Sequence, residues 1–273
     1  MTRDPPRLMR TLRTPPIVLT IAGSDPSGGA GLQADLKTFH RFGVFGTSVV
    51  TLITAQNTRG VTRVDLVDGE MVSAQLQAVF SDVPPAAVKT GAIGSAAVIE
   101  RVASYLEHHL NGAHLVVDPV MISKHGHHLL PADAVAALVT RLLPLATVVT
   151  PNWHEAAALS GLPVTDLTSA RAAARVLLKS GVRAVLITGG AGDSPLAADL
   201  LVTADHTDEL PALRLSTRST HGTGCTFAAA VTAHLALGFD VNEATRRAKA
   251  YVHHAIDTAP SIGGGIGPVN HWA

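Results

Sequence analysis

Residues 17–43 read IVLTIAGSDPSGGAGLQADLKTFHRFG, which predicts a buried strand, a glycine-rich turn and a helix, in that order. The apolar run at 17–23 ends at a glycine, as a strand of a parallel sheet commonly does. Leu32, Leu36 and Phe39 follow at helical spacing, and Gly43 suits the end of a helix. This stretch therefore predicts the first strand–helix unit of an α/β fold.

The same alternation continues along the rest of the chain. Strand-like runs lie at 47–55, 86–93, 115–121, 147–152 and 184–190, an antiparallel stretch is predicted between Asp199 and Leu215, and helices are predicted after Ser95 and near 168–180, 225–237 and 243–258. Alternating strands and helices predict a mostly parallel sheet with helices on both faces. We expect one domain at 17–273 after a flexible leader at 1–16. In such sheets ligands bind beyond the carboxyl ends of the strands.

Composition excludes several classes of protein. The 273 residues include 21 Lys+Arg and 21 Asp+Glu, so no basic excess favours nucleic-acid binding. A single cysteine forbids an internal disulfide and favours the cytoplasm. No apolar run reaches the roughly 18 residues of a membrane-spanning helix, so we expect no membrane association.

Two glycine-rich segments could bring main-chain amides to a phosphate. AGSDPSGGAG at 22–31 lies between a strand and a helix and is not a Walker A loop; the alternative is a tight turn that needs glycine for geometry alone. In THGTGCTFAAAV at 220–231, Gly222, Thr223, Gly224 and Cys225 stand where a helix begins, which predicts an anion hole. The helix dipole is expected to lower the pKa of a Cys225 thiol; the alternative is a small buried apolar residue.

Two further segments follow strands. In TPNWHEA at 150–156, Asn152 and Glu155 are oxygen ligands of the kind that hold Mg²⁺, and they also fit a helix cap. Asp118 ends the preceding strand, and the segment from Lys124 to Gly126 predicts a flexible basic flap over phosphates. The nearby histidines match no zinc-binding spacing.

Six motifs in the same order carry a family resemblance that covers nearly the whole chain from residue 17. They are LTIAGSDPSGGAGLQADLKTF (19–39), TAQNTRGV (54–61), VKTGAIG (88–94), VVDPVM (116–121), VTPNWHEA (149–156) and THGTGCT (220–226). The sequence resembles the hydroxymethylpyrimidine/phosphomethylpyrimidine kinases of thiamine biosynthesis, in the ribokinase-like superfamily. The resemblance implies a three-layer α/β/α fold, a homodimer, and use of ATP and Mg²⁺ to phosphorylate 4-amino-5-hydroxymethyl-2-methylpyrimidine and then its monophosphate.

The resemblance also implies roles for individual residues. Substrate would be bound by Gln56, Gly23, Asp35, Val120 and Ala92. The catalytic group would comprise Cys225 as base with Gly222, Thr223 and Gly224. Nucleotide would be bound by Asn152, Thr188 and Lys124, and the metal would be held by Glu155 and Asp118. An amide such as Gln56 suits the donor–acceptor edge of an aminopyrimidine.

Two departures and three alternatives accompany this hypothesis. Ala92 replaces a Met that some members place against the pyrimidine, and Thr188 replaces a Lys found in many.

The nearest alternative is a pyridoxal or pyridoxamine kinase on the same scaffold. An NAD-dependent oxidoreductase is disfavoured because no GxGxxG follows the first strand. A non-catalytic pyrimidine-binding module would need no anion hole.

Overall fold

The computed structural model describes residues 14–122, 126, 129–189 and 194–273. Residues 1–13 of the predicted leader, Lys124 and much of the predicted flap lie outside these described residues. The strands are β1 (Ile17–Ser24), β2 (Phe45–Asn57), β3 (Gly60–Leu66), β4 (Ala87–Thr90), β5 (His114–Val117), β6 (Val148–Val149), β7 (Ala184–Ile187), β8 (Asp199–Thr203) and β9 (Thr207–Leu210). The helices are α1 (Gly31–Arg41), α2 (Gly69–Asp82), α3 (Ala96–His109), α4 (Ala132–Ala137), α5 (Trp153–Ser160), α6 (Leu167–Leu178), α7 (Thr223–Ala236) and α8 (Val241–Asp257), with α4 continuing as a π-helical turn (Leu138–Leu142) and a 3₁₀ turn (Leu143–Leu145).

All nine strands join one sheet in the order β3-β2-β1-β4-β5-β6-β7-β8-β9. Strands β2, β1, β4, β5, β6 and β7 are parallel, whereas β3 at one end and β8 and β9 at the other are antiparallel. The predicted antiparallel stretch after Asp199 is confirmed as β8 and β9. Strand β3 was not predicted, because its sequence GVTRVDL carries few apolar residues and lies at an exposed edge.

Alternate residues of the central strands pack on opposite faces of the sheet, which makes two apolar cores. Leu115 and Val117 of β5 face the layer of α2 to α6, whereas Val116 faces α7 and α8. Helix α1 packs against α7 through Phe39, on the same side as α8. The predicted mostly parallel sheet between two helical layers is therefore confirmed.

Helix α7 lies at the centre of its layer. Residues 226–235 are all buried between the sheet, α1 and α8, so this helix has no exposed polar face. Its alanines allow close approach of neighbouring elements. Its N-terminus is therefore held firmly at the carboxyl edge of the sheet. Over the residues described, every helix is too short or too polar to form a membrane-spanning segment.

Candidate active site

The carboxyl ends of the parallel strands form one edge of the sheet, and most of the predicted site residues lie along it. Gly23 lies near the end of β1 and Gln56 near the end of β2; the segments after β4 to β7 carry Ala92, Asp118, Val120, Asn152 and Thr188; Gly222 to Cys225 begin α7. Asn152 and Thr188 form a parallel β-bridge. The roles assigned to these residues remain predictions.

The two glycine-rich segments pack directly against each other. Gly222 has a φ of +78°, and a Cβ at this position would overlap the carbonyl oxygen of Gly29. A Cβ on Gly29 would in turn overlap the ring of His221. Gly29 is thus required by the close contact with the start of α7, which agrees with the geometric interpretation at this position.

The N-terminus of α7 faces the same edge. Gly222 caps the helix and, as a glycine, contributes no side-chain hydrogen bond to the cap. Gly224 is exposed and Cys225 is half-buried. The first turn of this 14-residue helix therefore presents main-chain amides with partial positive charge at the exposed Gly224, whereas the Thr223 amide donates to the Thr220 carbonyl at 3.4 Å. This arrangement suits a bound phosphate.

A buried lysine, Lys89 in β4, lies beneath this helix terminus and was not singled out from the sequence. Its ammonium is fully buried and lies 3.0 and 2.9 Å from the two carboxylate oxygens of Asp35. Asp118 lies 3.4 Å away on the other side. Asp35 also accepts a 2.6 Å hydrogen bond from Thr20. Asp35, predicted to contact substrate, is thus buried below the edge, where it supports Lys89.

Burial raises the pKa of both Asp35 and Asp118, and the Lys89 ammonium opposes that rise. Burial works to lower the pKa of Lys89, but Asp35, Cys225 and Asp118 outweigh it and raise that pKa above its ordinary value. One permanent cation therefore balances two carboxylates in this cluster.

The expectation of a lowered pKa for Cys225 is wrong in this structure. Burial raises the pKa of its thiol to about 12, and the charges of Asp118 and Asp35 add to the rise, against the opposing effect of Lys89. The helix dipole favours a Cys225 thiolate, but two nearby carboxylates and the loss of solvent disfavour it more strongly. Cys225 is therefore a thiol that contacts Asp118, rather than a preformed thiolate.

Asn152 and Glu155 form the predicted helix cap at the start of α5. The Asn152 side chain accepts from the Glu155 amide at 2.9 Å, and Glu155 Oε2 accepts from the Asn152 amide at 2.9 Å. Burial, and secondarily repulsion from Asp118, raises the pKa of Glu155 to about 8.

These carboxylates fit a divalent cation. Among the described residues, the buried Oδ2 of Asp118 accepts no hydrogen bond. The pKa of Glu155 is raised by burial and by the negative charge of Asp118, so a bound cation would offset an unfavourable negative charge there. Carboxylate oxygens suit Mg²⁺, which binds to one or two of them together with phosphates and waters. Over the part of the chain that the structure describes, no group of three or more His, Cys, Asp or Glu side chains is arranged to hold a metal ion, so protein ligands alone would not complete its coordination.

A second polar group connects the two glycine-rich segments. His221 Nε2 lies 2.7 Å from Asp25 Oδ2, and both side chains are buried. Asp25 also accepts hydrogen bonds from the amides of Ser27 and Ala30 at 2.9 Å. The amide of Gln56 lies 3.2 Å from the same Nε2. Neither Asp25 nor His221 was assigned a role from the sequence, although each lies inside a quoted motif.

The C-terminal segment 262–269 connects this group to the hairpin of β2 and β3. Ile266 donates its amide to the carbonyl of Thr58, at 2.8 Å, beside the turn of that hairpin. His221 donates its amide to the carbonyl of Gly267, at 2.9 Å. The segment thereby links the hairpin that carries Gln56 to the loop that precedes α7.

On the other side of the α7 terminus is a cavity of about 240 Å³. Thr188, Thr223 and Gly224 line its inner end, and Leu213, Val252 and Ile256 are among its apolar lining residues. Lys249 and Asp199 form a 2.9 Å ion pair at its wall. The sequence did not reveal this cavity, because its walls come from β8, the segment 212–215 and α8, which are distant in the chain.

The sequence profile of the family described as phosphomethylpyrimidine kinase matches residues 25–270. The chain is 50% identical over 259 residues to the hydroxymethylpyrimidine/phosphomethylpyrimidine kinase of Rhizobium meliloti, covering 94% of this chain and 97% of that protein. It is 48% identical over 257 residues to the thiamine biosynthesis bifunctional protein ThiED of Geobacter sulfurreducens, covering 93% of this chain and 52% of that protein.

Among solved structures, the fold is similar to that of the pyridoxal kinase of Bacillus subtilis in its ADP complex. The TM-score is 0.88 and the identity is 37%, over 94% of this chain and 98% of that chain. This similarity confirms the predicted ribokinase-like fold. Since the family profile covers most of the chain and the relatives align over nearly all of it, the chain belongs to the phosphomethylpyrimidine kinase family.

Proposed function

We propose that this kinase transfers the γ-phosphoryl group of ATP to the hydroxymethyl oxygen of 4-amino-5-hydroxymethyl-2-methylpyrimidine, and then to the phosphate of the product, to give the diphosphate used in thiamine biosynthesis. The observation that carries this proposal is the glycine-capped N-terminus of α7, which lies between Gln56 on one side and the cavity on the other. A nucleotide in the cavity and a pyrimidine beside Gln56 would meet at these amides.

The chain's own residues contribute in three ways. The amides at Gly222 to Cys225 stabilise charge on the transferring phosphoryl group, as an anion hole does. Gln56 orients the ring so that the hydroxyl points toward α7. The Cys225 thiol passes its proton to the Asp118 carboxylate while its sulfur accepts the hydroxyl proton, as the oxygen bonds to phosphorus and the bond to the leaving ADP breaks.

Glu155 and Asp118 would hold Mg²⁺. When bound, the metal would supply charge neutralisation for the nucleotide phosphates. Asn152 keeps Glu155 in place through the reciprocal cap. Thr188, at the neighbouring strand end, lines the nucleotide side in place of the lysine of other members.

The test is an assay of ADP release with three acceptors: the pyrimidine alcohol, its monophosphate and pyridoxal, each with and without Mg²⁺. We expect Mg²⁺-dependent ADP release with both pyrimidines and a higher kcat/KM for them than for pyridoxal. ADP release with pyridoxal alone would refute the proposal and establish the second candidate. That candidate, a pyridoxal kinase, is favoured by the likeness to solved pyridoxal kinases such as the Bacillus subtilis enzyme.

We also propose that the protein is a cytoplasmic homodimer. Phe45, Ile53 and Leu66 on the hairpin of β2 and β3 are each more than half exposed, as a subunit contact would require. The lone free cysteine fits a reducing compartment. Light scattering coupled to size exclusion should give twice the mass of the 28.2 kDa chain, and a monomer at micromolar concentration would refute the dimer.

A further inference from the structure

The donors and acceptors around His221 determine which way the side-chain amide of Gln56 can point. Asp25 is a carboxylate whose pKa is lowered despite its burial, because it accepts hydrogen bonds from His221 and Ser27. A carboxylate only accepts. His221 Nε2, 2.7 Å from Asp25 Oδ2, must therefore carry a hydrogen and donate it.

That requirement decides which end of the Gln56 amide faces the histidine. One terminal atom of the amide lies 3.2 Å from His221 Nε2 and the other lies 3.4 Å from Thr54 Oγ1. The structure places the nitrogen nearer to His221, which sets two N–H donors against each other. Rotating the Gln56 side-chain amide by 180° exchanges its oxygen and nitrogen. The oxygen can then accept the hydrogen of His221 Nε2 together with Asp25.

The other end of the amide supports the same orientation. Thr54 Oγ1 lies 2.9 Å from the carbonyl of Ser24 and donates its only hydrogen there. Its oxygen is therefore free to accept from an amide N–H but not to donate to the amide oxygen. Both neighbours of Gln56 thus require the oxygen toward His221 and the nitrogen toward Thr54.

We infer that Asp25 and His221 are positioning residues that fix the orientation of the Gln56 amide, and through it the preference for an aminopyrimidine. This inference rests on the proposed function. In the fixed orientation the amide keeps one lone pair and one N–H free for a ligand. An aminopyrimidine edge offers the matching pair, an exocyclic N–H donor beside a ring nitrogen acceptor, whereas pyridoxal has no such edge.

His221 is itself held rigidly enough for this role. Its amide donates to Gly267, its carbonyl accepts from Val269, and Gly29 lies directly against its ring. With its backbone held at both ends, its ring against Gly29 and its Nε2 bonded to Asp25, His221 presents one fixed hydrogen-bond donor to Gln56.

The first experiment is a double-mutant cycle of His221→Phe and Gln56→Ala, assayed with the pyrimidine alcohol and with pyridoxal. We expect His221→Phe to raise KM for the pyrimidine about tenfold, which corresponds to about 1.4 kcal/mol, with a much smaller effect on kcat. In the Gln56→Ala background the same substitution should add almost nothing. His40→Phe, at an exposed position of α1, is the matched control and should leave both parameters unchanged.

Equal losses with both acceptors, or losses that add fully to those of Gln56→Ala, would overturn the inference and leave His221 as a support for the α7 loop. If His221→Phe does not fold, His221→Gln, which retains a donor, replaces it; the expected result is then a KM close to wild type for the pyrimidine.

The second measurement uses the unmodified chain labelled with ¹⁵N-histidine. The His221 signal, assigned by its loss in the His221→Gln spectrum, should show a protonated Nε2. An unprotonated Nε2 would overturn the inference even if the kinase assay succeeds. Conversely, an absence of ADP release with any pyrimidine refutes the proposed function and leaves this tautomer result standing on its own.

Discussion

Replacing Lys89 by Met should measure how much the buried cluster of Lys89, Asp35 and Asp118 contributes to the free energy of unfolding. Lys89 donates to both oxygens of Asp35 at 3.0 and 2.9 Å, and it is fully buried. Removing one partner of a buried ion pair typically costs about 3–5 kcal/mol, because the remaining charge is uncompensated. Asp35 would keep only its hydrogen bond from Thr20.

Proton uptake by Asp35 limits this loss and gives it a pH dependence. Protonating a carboxyl of ordinary pKa at pH 7 costs about 4 kcal/mol, at 1.36 kcal/mol per unit, so the loss at pH 7 should not exceed that by much. The folded variant then binds one proton more than its unfolded chain. Its stability therefore falls as pH rises above about 4. Since the pKa of Asp35 is already raised in the wild type, the loss relative to wild type should be smaller at pH 5 than at pH 7 by at most about 2.7 kcal/mol.

Urea unfolding followed by circular dichroism at pH 5 and pH 7 measures both quantities. The double variant Lys89→Met/Asp35→Asn should recover part of the stability, since the carboxylate at position 35 is gone, whereas the buried Asp118 still lacks the cation 3.4 Å away. Arg63→Met, which removes an exposed ion pair with Asp65, is the control and should not shift the midpoint measurably. A loss at pH 7 below about 1 kcal/mol, or an equal loss at both pH values, would refute the reasoning, given that a buried pair is worth several times more.

Three further predictions concern the site itself. Cys225→Ala should lower kcat more for the alcohol than for the monophosphate, whose attacking phosphate needs little base; equal losses in stopped-flow assays of the two steps would argue against a proton-accepting role. Glu155→Gln should raise the Mg²⁺ concentration for half-maximal activity at least tenfold while ADP binding without Mg²⁺ stays the same, and an unchanged Mg²⁺ titration would remove Glu155 from the metal site. Gly222→Ala should lower the unfolding free energy by at least about 1 kcal/mol, since φ is +78° and the Cβ meets Gly29; a thermal midpoint equal to wild type would show that the two segments can separate.

Local signals predicted the framework well. Ser95 caps α3 through its side chain, as expected from its place before an apolar helical pattern. The Asn152–Glu155 cap at α5 is likewise a short-range pattern. Such features depend on residues three or four positions apart, so they can be recognised from the sequence directly.

The features that were missed depend on residues far apart in the chain. Lys89 lies in an apolar run, and its partner Asp35 is 54 positions away. The pairing of His221 with Asp25 spans 196 positions. The direction of the Cys225 pKa shift was wrong for the same reason, because burial against Asp118 and Asp35 is a property of the assembled core, whereas the helix dipole is local.

The hydrogen bond from the Gly265 amide to the Thr58 hydroxyl, next to the one that Ile266 donates to the Thr58 carbonyl, has a consequence for the order in which a newly made chain acquires activity. Gly265 and Thr58 are 207 positions apart, and ribosomes make proteins from the amino end. The parallel strands are complete long before residue 265 is added, so the sheet has time to form while its catalytic edge is still unfinished. A nascent chain that has emerged only through α8 should already resist proteolysis but should gain phosphoryl transfer only when its final residues leave the exit tunnel.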